Sequence, residues 1–373
     1  MNIISEGKAR FYASVADDGK ISKELDVFYN PIMKFNRDVS VLLMNSIGRQ
    51  NIQIADILAG SGVRSLRLLL ELDSGIIKNI TVNDYSPDFP ELFKKNLELN
   101  DIATTGEIII KNADANKLLL ESSGFDYIDV DPFGSPNDFL ELSIVRLSRD
   151  GILAVTATDT APLSGTYPDA CQRKYWARPM RNYLMHEVGL RILIRKVQLL
   201  GANHDKALVP IYSYFKDHYN RIFFKCIKSK KEVDNVLEQH KYFLYCNKCM
   251  ISRTSEFNNE HCIKCSNPME YSGPMWIGDL CDTTLTEKIL NLNKDESNTN
   301  FLNTISEESK IKFIGFHDIH VLCKNFKLTI PNFDSLIEQI KQKGYFVSRT
   351  HFDALGIKTN IPIDELKMII EKL

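Results

Sequence analysis

Four consecutive residues, Asp131, Pro132, Phe133 and Gly134, have the types that can activate an amine attached to an aromatic base. Such an amine is a weak nucleophile because its lone pair is delocalised into the ring. A carboxylate and the neighbouring proline carbonyl can accept hydrogen bonds from both of its N–H groups, and the carboxylate can then take up the proton. The phenylalanine ring can stack on the base. The tetrapeptide therefore predicts a catalytic site formed by Asp131, Pro132 and Phe133.

The sequence leaves two other interpretations of this segment open. A proline and a glycine so close together also close ordinary turns, with Phe133 packed in the core. Asp129 is a rival carboxylate, because residues two apart on a strand share a face. We favour Asp131 because it alone adjoins the pair Pro132 and Phe133.

A second group of residues has the types that bind a nucleoside cofactor. Gly60 and Gly62 lie at a predicted strand-to-helix junction, where the backbone can approach a ligand and the helix start offers unpaired N–H groups. Asp84 ends the next predicted strand and can accept both ribose hydroxyls, and Asp114 follows the third strand, where it can bind an adenine amino group. NAD and S-adenosylmethionine share these features, but Ser65 replaces the third glycine of an NAD fingerprint. Any one acid alone could instead cap a helix.

Four cysteines form two pairs with the spacing of a zinc site. Two residues separate Cys246 from Cys249, and two separate Cys262 from Cys265. Such pairs can supply four thiolates to a tetrahedral zinc ion, although His261 could replace Cys262. Disulfides are the alternative, but we expect a reducing compartment. Because four sulfurs leave no position for water, the predicted zinc is structural.

The elements that must position these residues follow a regular pattern. From residue 51 to 231, short β-rich runs alternate with helical patterns, which is typical of a parallel sheet covered on both faces. The last two runs are joined by a link short enough for a hairpin. By fold-level analogy, this predicts a class I methyltransferase domain with a Rossmann-like, mostly parallel, seven-stranded sheet and an antiparallel hairpin. The predicted strands are 52–58, 80–84, 107–111, 125–131, 151–158, 207–215 and 221–227.

A second, smaller region follows a charged stretch at 228–241, which we interpret as a linker. It contains the four cysteines and then, within 282–309, a helical pattern followed by a polar sequence that predicts a loop. The sequence thus predicts two domains. Residues 1–235 form the methyltransferase domain with an amino-terminal extension, and residues 236–373 form a mixed α/β, zinc-containing domain.

Basic residues are concentrated in one segment, although the net charge of the chain is only −2. Residues 170–231 contain 14 Lys and Arg against 3 Asp and Glu, so this segment is a candidate to bind a polyanion. Within it, residues 172–178 interleave basic side chains with Tyr175 and Trp176, which suits phosphates and an extruded nucleotide. A solvated surface for the charges and core packing for the rings are the ordinary alternatives.

The composition is that of a folded protein with more than one domain, with 44% hydrophobic and 25% charged residues among 373. No apolar run approaches the roughly 18 residues that a membrane span needs. Residues 1–13 include Glu6, Lys8 and Arg10, where a signal peptide would need apolar residues. We therefore expect a cytoplasmic protein with no membrane partner and no obligate protein partner.

Several motifs together resemble the tRNA (guanine(26)-N(2))-dimethyltransferase family, and the resemblance covers essentially the whole chain. It implies S-adenosylmethionine-dependent mono- and then dimethylation of the exocyclic N2 amine of guanine 26 in tRNA. Because a paired guanine amine is inaccessible in a helix, the base must be flipped out. The motifs are Phe-Tyr-Asn-Pro at 28–31, Asn-Arg-Asp at 36–38, Leu-Ala-Gly-Ser-Gly-Val-Arg at 58–64, Asp-Pro-Phe-Gly at 131–134, Thr-Ala-Thr-Asp-Thr-Ala-Pro-Leu at 156–163 and Ser-Arg-Thr-His-Phe at 348–352.

The resemblance also assigns roles to single residues, and it makes Asp131 the catalytic acid. Arg37 would clamp the methionine carboxylate of the cofactor through two parallel hydrogen bonds, whereas Arg64 could equally face the nucleic acid. The second domain would help to bind tRNA. The residues with implied cofactor roles are Arg37, Arg64, Asp84, Asp114 and Ala115.

Two alternative functions remain. The first is an amino-methyltransferase that acts on another RNA or DNA base, which the motifs near the two ends of the chain argue against. The second is a non-catalytic zinc-ribbon protein that binds nucleic acid, which the intact Asp84, Asp114 and Asp131 argue against. Cofactor binding would separate an enzyme from the second alternative.

Overall fold

The structure is a computed structural model that describes residues 2–13, 29–104 and 106–373. Met1, in the amino-terminal stretch, and Phe28, in the first motif, lie outside the described residues. The strands are Asn2–Glu6 (β1), Ala9–Ala13 (β2), Ile52–Asp56 (β3), Ile77–Asn83 (β4), Ile108–Lys111 (β5), Phe125–Val130 (β6), Leu147–Ala157 (β7), Lys206–Lys216 (β8), Tyr219–Lys228 (β9), His240–Tyr245 (β10), Ser252–Ser255 (β11), Glu270–Trp276 (β12), His317–Asp318 (β13), Val347–Arg349 (β14) and Gly356–Thr359 (β15).

The helices, together with a short 3-10 turn at Pro31–Met33, connect these strands. They are Lys34–Ile47 (α1), Val63–Glu71 (α2), Phe89–Leu99 (α3), Ala115–Glu121 (α4), Asn137–Arg146 (α5), Thr160–Leu163 (α6), Pro168–Tyr175 (α7), Met185–Ala202 (α8), Lys230–Leu237 (α9), Thr283–Leu292 (α10), Glu296–Ser309 (α11), Ile319–Phe326 (α12), Phe333–Gln342 (α13) and Ile363–Ile370 (α14).

Seven strands form the central sheet, in the order β5-β4-β3-β6-β7-β9-β8. Strands β3 to β7 are parallel, whereas β9 runs antiparallel to both β7 and β8. Successive residues of the inner strands enter different hydrophobic clusters, Ile54 and Tyr127 on one face and Ala55 and Ile128 on the other. The predicted fold is therefore confirmed, including the terminal hairpin of β8 and β9.

The order of the strands also fixes where a ligand can bind. The chain runs from β3 outward through β4 to β5, then returns to place β6 on the other side of β3. This reversal opens a crevice at the carboxyl ends of β3 and β6, which is where open α/β sheets bind their ligands. The loops after β3, β4 and β6 all meet at this edge.

An amino-terminal hairpin of β1 and β2, which the sequence analysis did not predict, lies against this part of the domain. Tyr12 donates its backbone N–H to Asn96 of α3 at 2.8 Å. Glu6 is 3% exposed. Its carboxylate accepts hydrogen bonds from Arg37 at 2.7 and 2.6 Å and from Arg67 at 3.0 Å. The hairpin thus binds α1 to α2 through one buried acid.

The second region contains two small sheets, in the orders β11-β10-β12 and β13-β15-β14. Two expectations for this region are wrong. The supposed linker at 228–241 contains α9, which buries Val233 and Val236. The supposed polar loop before residue 309 is α11, a helix capped by Asp295 that buries Leu302 and Ile305. In both cases a few apolar residues at helical spacing outweigh a polar composition.

One hydrophobic cluster continues from the central sheet into the second region. Buried charges also join the two, because Glu187 of α8 pairs with Arg191 at 2.9 Å and with Lys358 of β15 at 3.3 Å. The domain boundary near residue 235 lies within α9, and the division into two domains stays a prediction. Among the described residues, no helix is long and apolar enough to cross a membrane.

The ion pairs of Glu6 lead to a prediction about stability and pH. Burial alone would raise the pKa of Glu6, but the hydrogen bonds and charges of Arg37 and Arg67 lower it from 4.5 to about 2. Glu6→Gln should therefore destabilise the protein by about 3–5 kcal/mol near neutral pH, since it leaves the buried Arg37 without a carboxylate, whereas Arg67 keeps Asp38 and Glu71. Because the folded pKa is depressed, the difference from wild type should shrink as the pH falls below about 4.5.

Urea unfolding of both proteins at several pH values measures this difference. Glu307→Gln is a matched control, because Glu307 makes an exposed pair with Lys310 at 2.9 Å that should contribute little. Equal effects of the two substitutions would contradict the assigned role of Glu6.

Candidate active site and zinc centre

A cavity of about 1460 Å³ opens at the carboxyl edge of the central sheet. Gly60 lines it from the loop after β3, Asp84 from the loop after β4 and Asp131 from the loop after β6. The parallel strands thus bring together residues that are far apart in sequence. Other residues named from the sequence that also line the cavity are Arg37, Arg64, Pro132 and Phe133.

The loop between β3 and α2 needs its two glycines because both have positive φ. Gly60 has φ +57° and donates its N–H to Oδ2 of Asp84 at 2.8 Å. Gly62 has φ +76°, and a Cβ at this position would lie 2.3 Å from a ring carbon of Phe93. Larger residues would be strained at both positions. The loop can therefore bring the backbone close to a ligand at the start of α2.

The two acids predicted to bind the nucleoside occupy different environments. Asp84 lines the cavity, and besides the N–H of Gly60 it accepts the N–H of Ser86 at 2.9 Å. Asp114 is exposed and caps α4, where it accepts the N–H of Lys117 at 3.0 Å. Asp114 and the buried Ala115 are outside the residues that line the cavity. The helix-cap interpretation thus describes Asp114 in this structure.

The carboxylate of Asp131 lies at the cavity and pairs with a buried arginine. Its side chain is 18% exposed, and Oδ2 accepts a hydrogen bond from Nη2 of Arg64. The other terminal nitrogen of Arg64 donates to Asn36 at 3.0 Å and to Ser40 at 2.9 Å, both on α1. The guanidinium is therefore fixed from the side opposite Asp131.

The turn that carries Asp131 is also fixed at its other end. Gly134 donates its N–H to Oγ1 of Thr158 at 2.7 Å, and its carbonyl accepts the N–H of Thr158 at 3.0 Å. Pro132 and Phe133 line the cavity between these contacts, and Phe133 is 48% exposed. The turn interpretation required Phe133 to be packed in the core. Its exposure contradicts that interpretation.

Asp129, the rival carboxylate, has a different environment. It is 1% exposed and accepts hydrogen bonds from Arg221 at 2.9 and 2.7 Å and from the hydroxyl of Tyr127 at 2.7 Å. Arg64 approaches it to 3.4 Å. A carboxylate so completely paired is unsuited to receive a substrate, whereas Asp131 is accessible from the cavity.

Arg37 lines the cavity, but its guanidinium already has a bidentate partner in Glu6. Its Nη2 also donates to the carbonyl of Asn30 at 3.0 Å. These contacts hold the cation in one position beside the cavity. The sequence analysis did not identify Glu6 as its partner, since nothing in the local pattern connects the two residues.

The four cysteines come together at one end of the sheet β11-β10-β12. Their Sγ atoms all lie within 4.8 Å of one another, and those of Cys246 and Cys265 are 3.6 Å apart. Zinc with four thiolates places its sulfurs about 3.8 Å apart, so this group fits the ion. Backbone N–H groups of Cys249 and Lys264 point at the sulfurs of Cys246 and Cys262, both at 3.4 Å. His261 is exposed and outside the group.

Comparisons with known proteins agree with this geometry. The chain matches the sequence profile of the family described as N2,N2-dimethylguanosine tRNA methyltransferase over residues 7–371. It belongs to this family. The predicted family and enzyme class are thereby confirmed, and the same architecture recurs among solved structures.

Similar proteins extend over the whole chain. The tRNA (guanine(26)-N(2)/guanine(27)-N(2))-dimethyltransferase of Aquifex aeolicus is 38% identical, covering 100% of this chain and 96% of its own. The tRNA (guanine(26)-N(2))-dimethyltransferase of Pyrococcus furiosus is 37% identical, covering 99% of this chain and 98% of its own. Trm1 from Pyrococcus horikoshii, solved with S-adenosyl-L-methionine, superposes with a TM-score of 0.87 at 33% identity, covering 99% of this chain and 100% of that one.

Asp56 is a cavity residue of this family member that the sequence analysis missed. It ends β3 and accepts a hydrogen bond from Ser65 at 2.8 Å. Burial raises the pKa of Asp56 from 3.8 to about 7; Asp129 and Asp131 add to this effect, while Arg64 opposes it. Its position at the end of a strand, just before the glycine loop, was a signal that could have identified it.

The basic segment 170–231 was a candidate to bind a polyanion, but its cations do not form one basic surface. Several of its cations are buried, and the exposed ones divide into two groups at opposite edges of the sheet. The buried ones are Arg191, Lys196, Lys206 and Arg221. The exposed ones are Arg173, Lys174, Arg178 and Arg181 near the carboxyl edge, and Lys225, Lys228, Lys230 and Lys231 near the amino edge.

The two aromatic residues of this segment also differ. Tyr175 is buried and donates its hydroxyl to Asp159 at 2.6 Å, so it belongs to the core. Trp176 is 44% exposed, with Nζ of Lys196 lying 2.9 Å from its ring centroid. Only the second ring is therefore available to a partner.

The cysteine geometry predicts that metal analysis will find one zinc per chain. Cys249→Ser should lose the zinc and lower the midpoint of urea unfolding, because metal binding contributes directly to the folding of such sites. Cys323→Ala is the matched control, since Cys323 is buried outside the cluster and should leave the zinc content unchanged. A metal-free wild-type protein with the same stability would contradict the assignment.

Proposed function

We propose that this protein uses S-adenosylmethionine to methylate the exocyclic N2 amine of guanine 26 in tRNA, first once and then a second time. The observation that carries the proposal is the accessible carboxylate of Asp131, held by Arg64 at the edge of the cavity beside Pro132 and Phe133. Family membership supports the reaction class. The Trm1 structure with S-adenosyl-L-methionine supports the cofactor.

The residues around the cavity fit the cofactor. The volume of about 1460 Å³ is large enough for a nucleoside and a base together. We propose that the loop of Gly60 and Gly62 contacts the cofactor through its backbone and that Asp84 accepts the ribose hydroxyls. Arg37, already oriented by Glu6, offers a fixed positive charge for the methionine carboxylate. A cofactor role for Asp114 and Ala115, at the start of α4, stays a prediction.

The reaction assigns a separate task to each residue of the 131–134 turn. Asp131 and the carbonyl of Pro132 accept hydrogen bonds from the two N–H groups of the guanine amine, which makes its lone pair available. The sulfonium of the cofactor supplies an electrophilic methyl group. The new N–C bond would form as the S–C bond of the sulfonium breaks, with its electron pair staying on sulfur, so that a neutral thioether is left. The amine proton passes to Asp131, and Arg64 keeps that carboxylate in place. Release of the proton restores the carboxylate, and exchange of the spent thioether for a second cofactor molecule would allow a second transfer.

The substrate base must leave its stack to reach this carboxylate. Extrusion costs a few kcal/mol, which stacking on an exposed aromatic ring can offset by about 1–3 kcal/mol. Phe133, which is half exposed beside Asp131, is in position for this contact. We therefore include a flipped guanine in the proposal, with tRNA as the partner and the cytoplasm as the location.

The two alternative functions make different demands on the site. A non-catalytic nucleic-acid-binding protein has no need for an accessible carboxylate fixed by a buried arginine. An amino-methyltransferase with another base as substrate would use the same residues, so the distinction lies in the nucleic acid it accepts. The identity of the methylated nucleoside is thus the decisive measurement.

Asp131→Asn tests the catalytic assignment. It should reduce methyl transfer by about 10²- to 10⁴-fold, because the amide cannot take the amine proton, and leave cofactor affinity within about threefold. Mass spectrometry of nucleosides from tRNA incubated with labelled cofactor measures both the rate and the product. Asp150→Asn, at the opposite edge of the sheet, is the matched control. Unchanged turnover would remove Asp131 from the mechanism.

A tRNA with 2-aminopurine at position 26 tests base flipping, because this base keeps the 2-amino group and fluoresces more strongly outside a stack. Its fluorescence should rise on binding to the wild-type protein in the presence of cofactor. The same probe at another stem position should stay dark. Fluorescence at the level of free tRNA in both the wild-type protein and a Phe133→Ala variant, which lacks the ring that could quench the extruded base, would exclude the flipped base once binding is shown separately.

A further inference from the structure

Helix α7 is attached directly to the catalytic turn. Oγ of Ser135, one residue beyond the 131–134 turn, lies 3.2 Å from the hydroxyl of Tyr175. Asn137 donates its side-chain N–H to the carbonyl of Lys174 at 3.1 Å. The end of α7 and its neighbouring surface are therefore fixed relative to the carboxylate that receives the substrate.

The residues after α7 are attached just as firmly to the sheet that holds the cysteines. Arg178 and Gly273 of β12 exchange backbone hydrogen bonds of 2.9 and 2.8 Å, and Ser272 donates its hydroxyl to the carbonyl of Arg178 at 2.7 Å. The guanidinium of Arg178 lies 4.5 Å from the ring centroid of Tyr271. One continuous surface thus extends from the catalytic turn to the cysteine-containing sheet.

This surface, which we call the α7–β12 surface, consists of Arg173, Trp176, Arg178, Arg181 and Tyr271. The three arginines are exposed, and within the described residues none of them lies in an ion pair with a carboxylate. Lys174, next to them, is by contrast paired with Asp159 at 3.5 Å. The Cβ of Arg181 lies beside Gly165, in the turn after α6. The arginines are therefore available to an external anion.

We propose that the α7–β12 surface binds the sugar-phosphate backbone of the tRNA next to the guanine that enters the active site. This inference rests on the proposed function and adds the place where the tRNA lies. Arginine pairs well with phosphate through its planar fork, and stacking of Arg178 on Tyr271 restricts the guanidinium before the ligand arrives. The exposed ring of Trp176 provides an apolar face for a sugar or a base.

The charge pattern favours a nucleic acid over an acidic peptide. The surface combines flat cations with an exposed aromatic ring and lies beside the cavity that receives the base in the proposed reaction, whereas an acidic peptide would need only the arginines. The cysteine centre then acts as a positioning element, because it holds β10 and β12, and β12 holds Arg178.

A triple variant, Arg173→Gln with Arg178→Gln and Arg181→Gln, tests the proposal. The matched control is Lys225→Gln with Lys228→Gln and Lys230→Gln, which removes the same charge from the same segment at the opposite edge. The dissociation constant for a tRNA transcript is measured at several salt concentrations, together with KM, kcat and cofactor affinity. Unchanged cofactor affinity shows that each variant is folded.

The arginine variant should bind tRNA about 10- to 100-fold more weakly at low salt. The slope of log K against log salt should fall by about one for each phosphate that the variant no longer binds. KM should rise while kcat at saturating tRNA changes little, because Asp131 and Arg64 are intact. The lysine variant should keep the affinity and the salt slope of the wild type.

Two results would overturn the proposal. Equal losses of affinity in both triple variants would mean that only net charge matters, and an unchanged salt slope in the arginine variant would place the phosphates elsewhere. Failure of the wild-type protein to methylate tRNA at all would instead contradict the proposed function. The two failures are therefore distinguishable within one experiment.

Discussion

The active site depends on the burial of Arg64. A guanidinium removed from water must have its hydrogen bonds satisfied, or the protein loses several kcal/mol of stability. One terminal nitrogen of Arg64 donates to Asn36 and Ser40, and the other donates to Asp131. The carboxylate of Asp129 lies 3.4 Å from the guanidinium. The accessible carboxylate is thus fixed by the same contacts that neutralise the buried cation.

This constraint reaches well beyond the cavity. Asp129 would add an uncompensated negative charge if Arg221 of β9 did not pair with it. Arg221 in turn donates to Ser40 and to Thr156, so α1, β6, β7 and β9 share one polar network. Such networks are costly when incomplete and rigid when complete. The antiparallel hairpin therefore helps to place the carboxylate of Asp131, through Arg221, Asp129 and Arg64.

Much of the fold and part of the site could be predicted, because their signals are local. Alternating β and helical patterns, two glycines at a strand end and two cysteine pairs each report on a few adjacent residues. The preference for Asp131 over Asp129 rested on neighbouring residues too, and the structure places only Asp131 of the two at the cavity. The rest depends on contacts between distant segments. Arg221 reads as one more cation of a basic run, although it is fully buried.

The same limit explains the other errors. Glu6 precedes Arg37 by 31 residues and Arg67 by 61, so no periodic pattern connects them. Helix α11 is polar along most of its length, and only its packing against the neighbouring elements shows which of its residues are buried. The number of Lys and Arg residues in the segment 170–231 does not show which of them are exposed. A basic segment that crosses the sheet places its cations on opposite edges.

The buried carboxylate of Glu187 has a consequence for how this architecture can change. It comes from the first 235 residues, yet one of its partners, Lys358, lies close to the carboxyl end of the chain. A fragment that stopped after α9 would lose this partner and expose the apolar face that packs around it. The carboxyl-terminal third therefore cannot be exchanged for an unrelated module. Substitutions in this third must stay compatible with the residues that it contacts in the first 235.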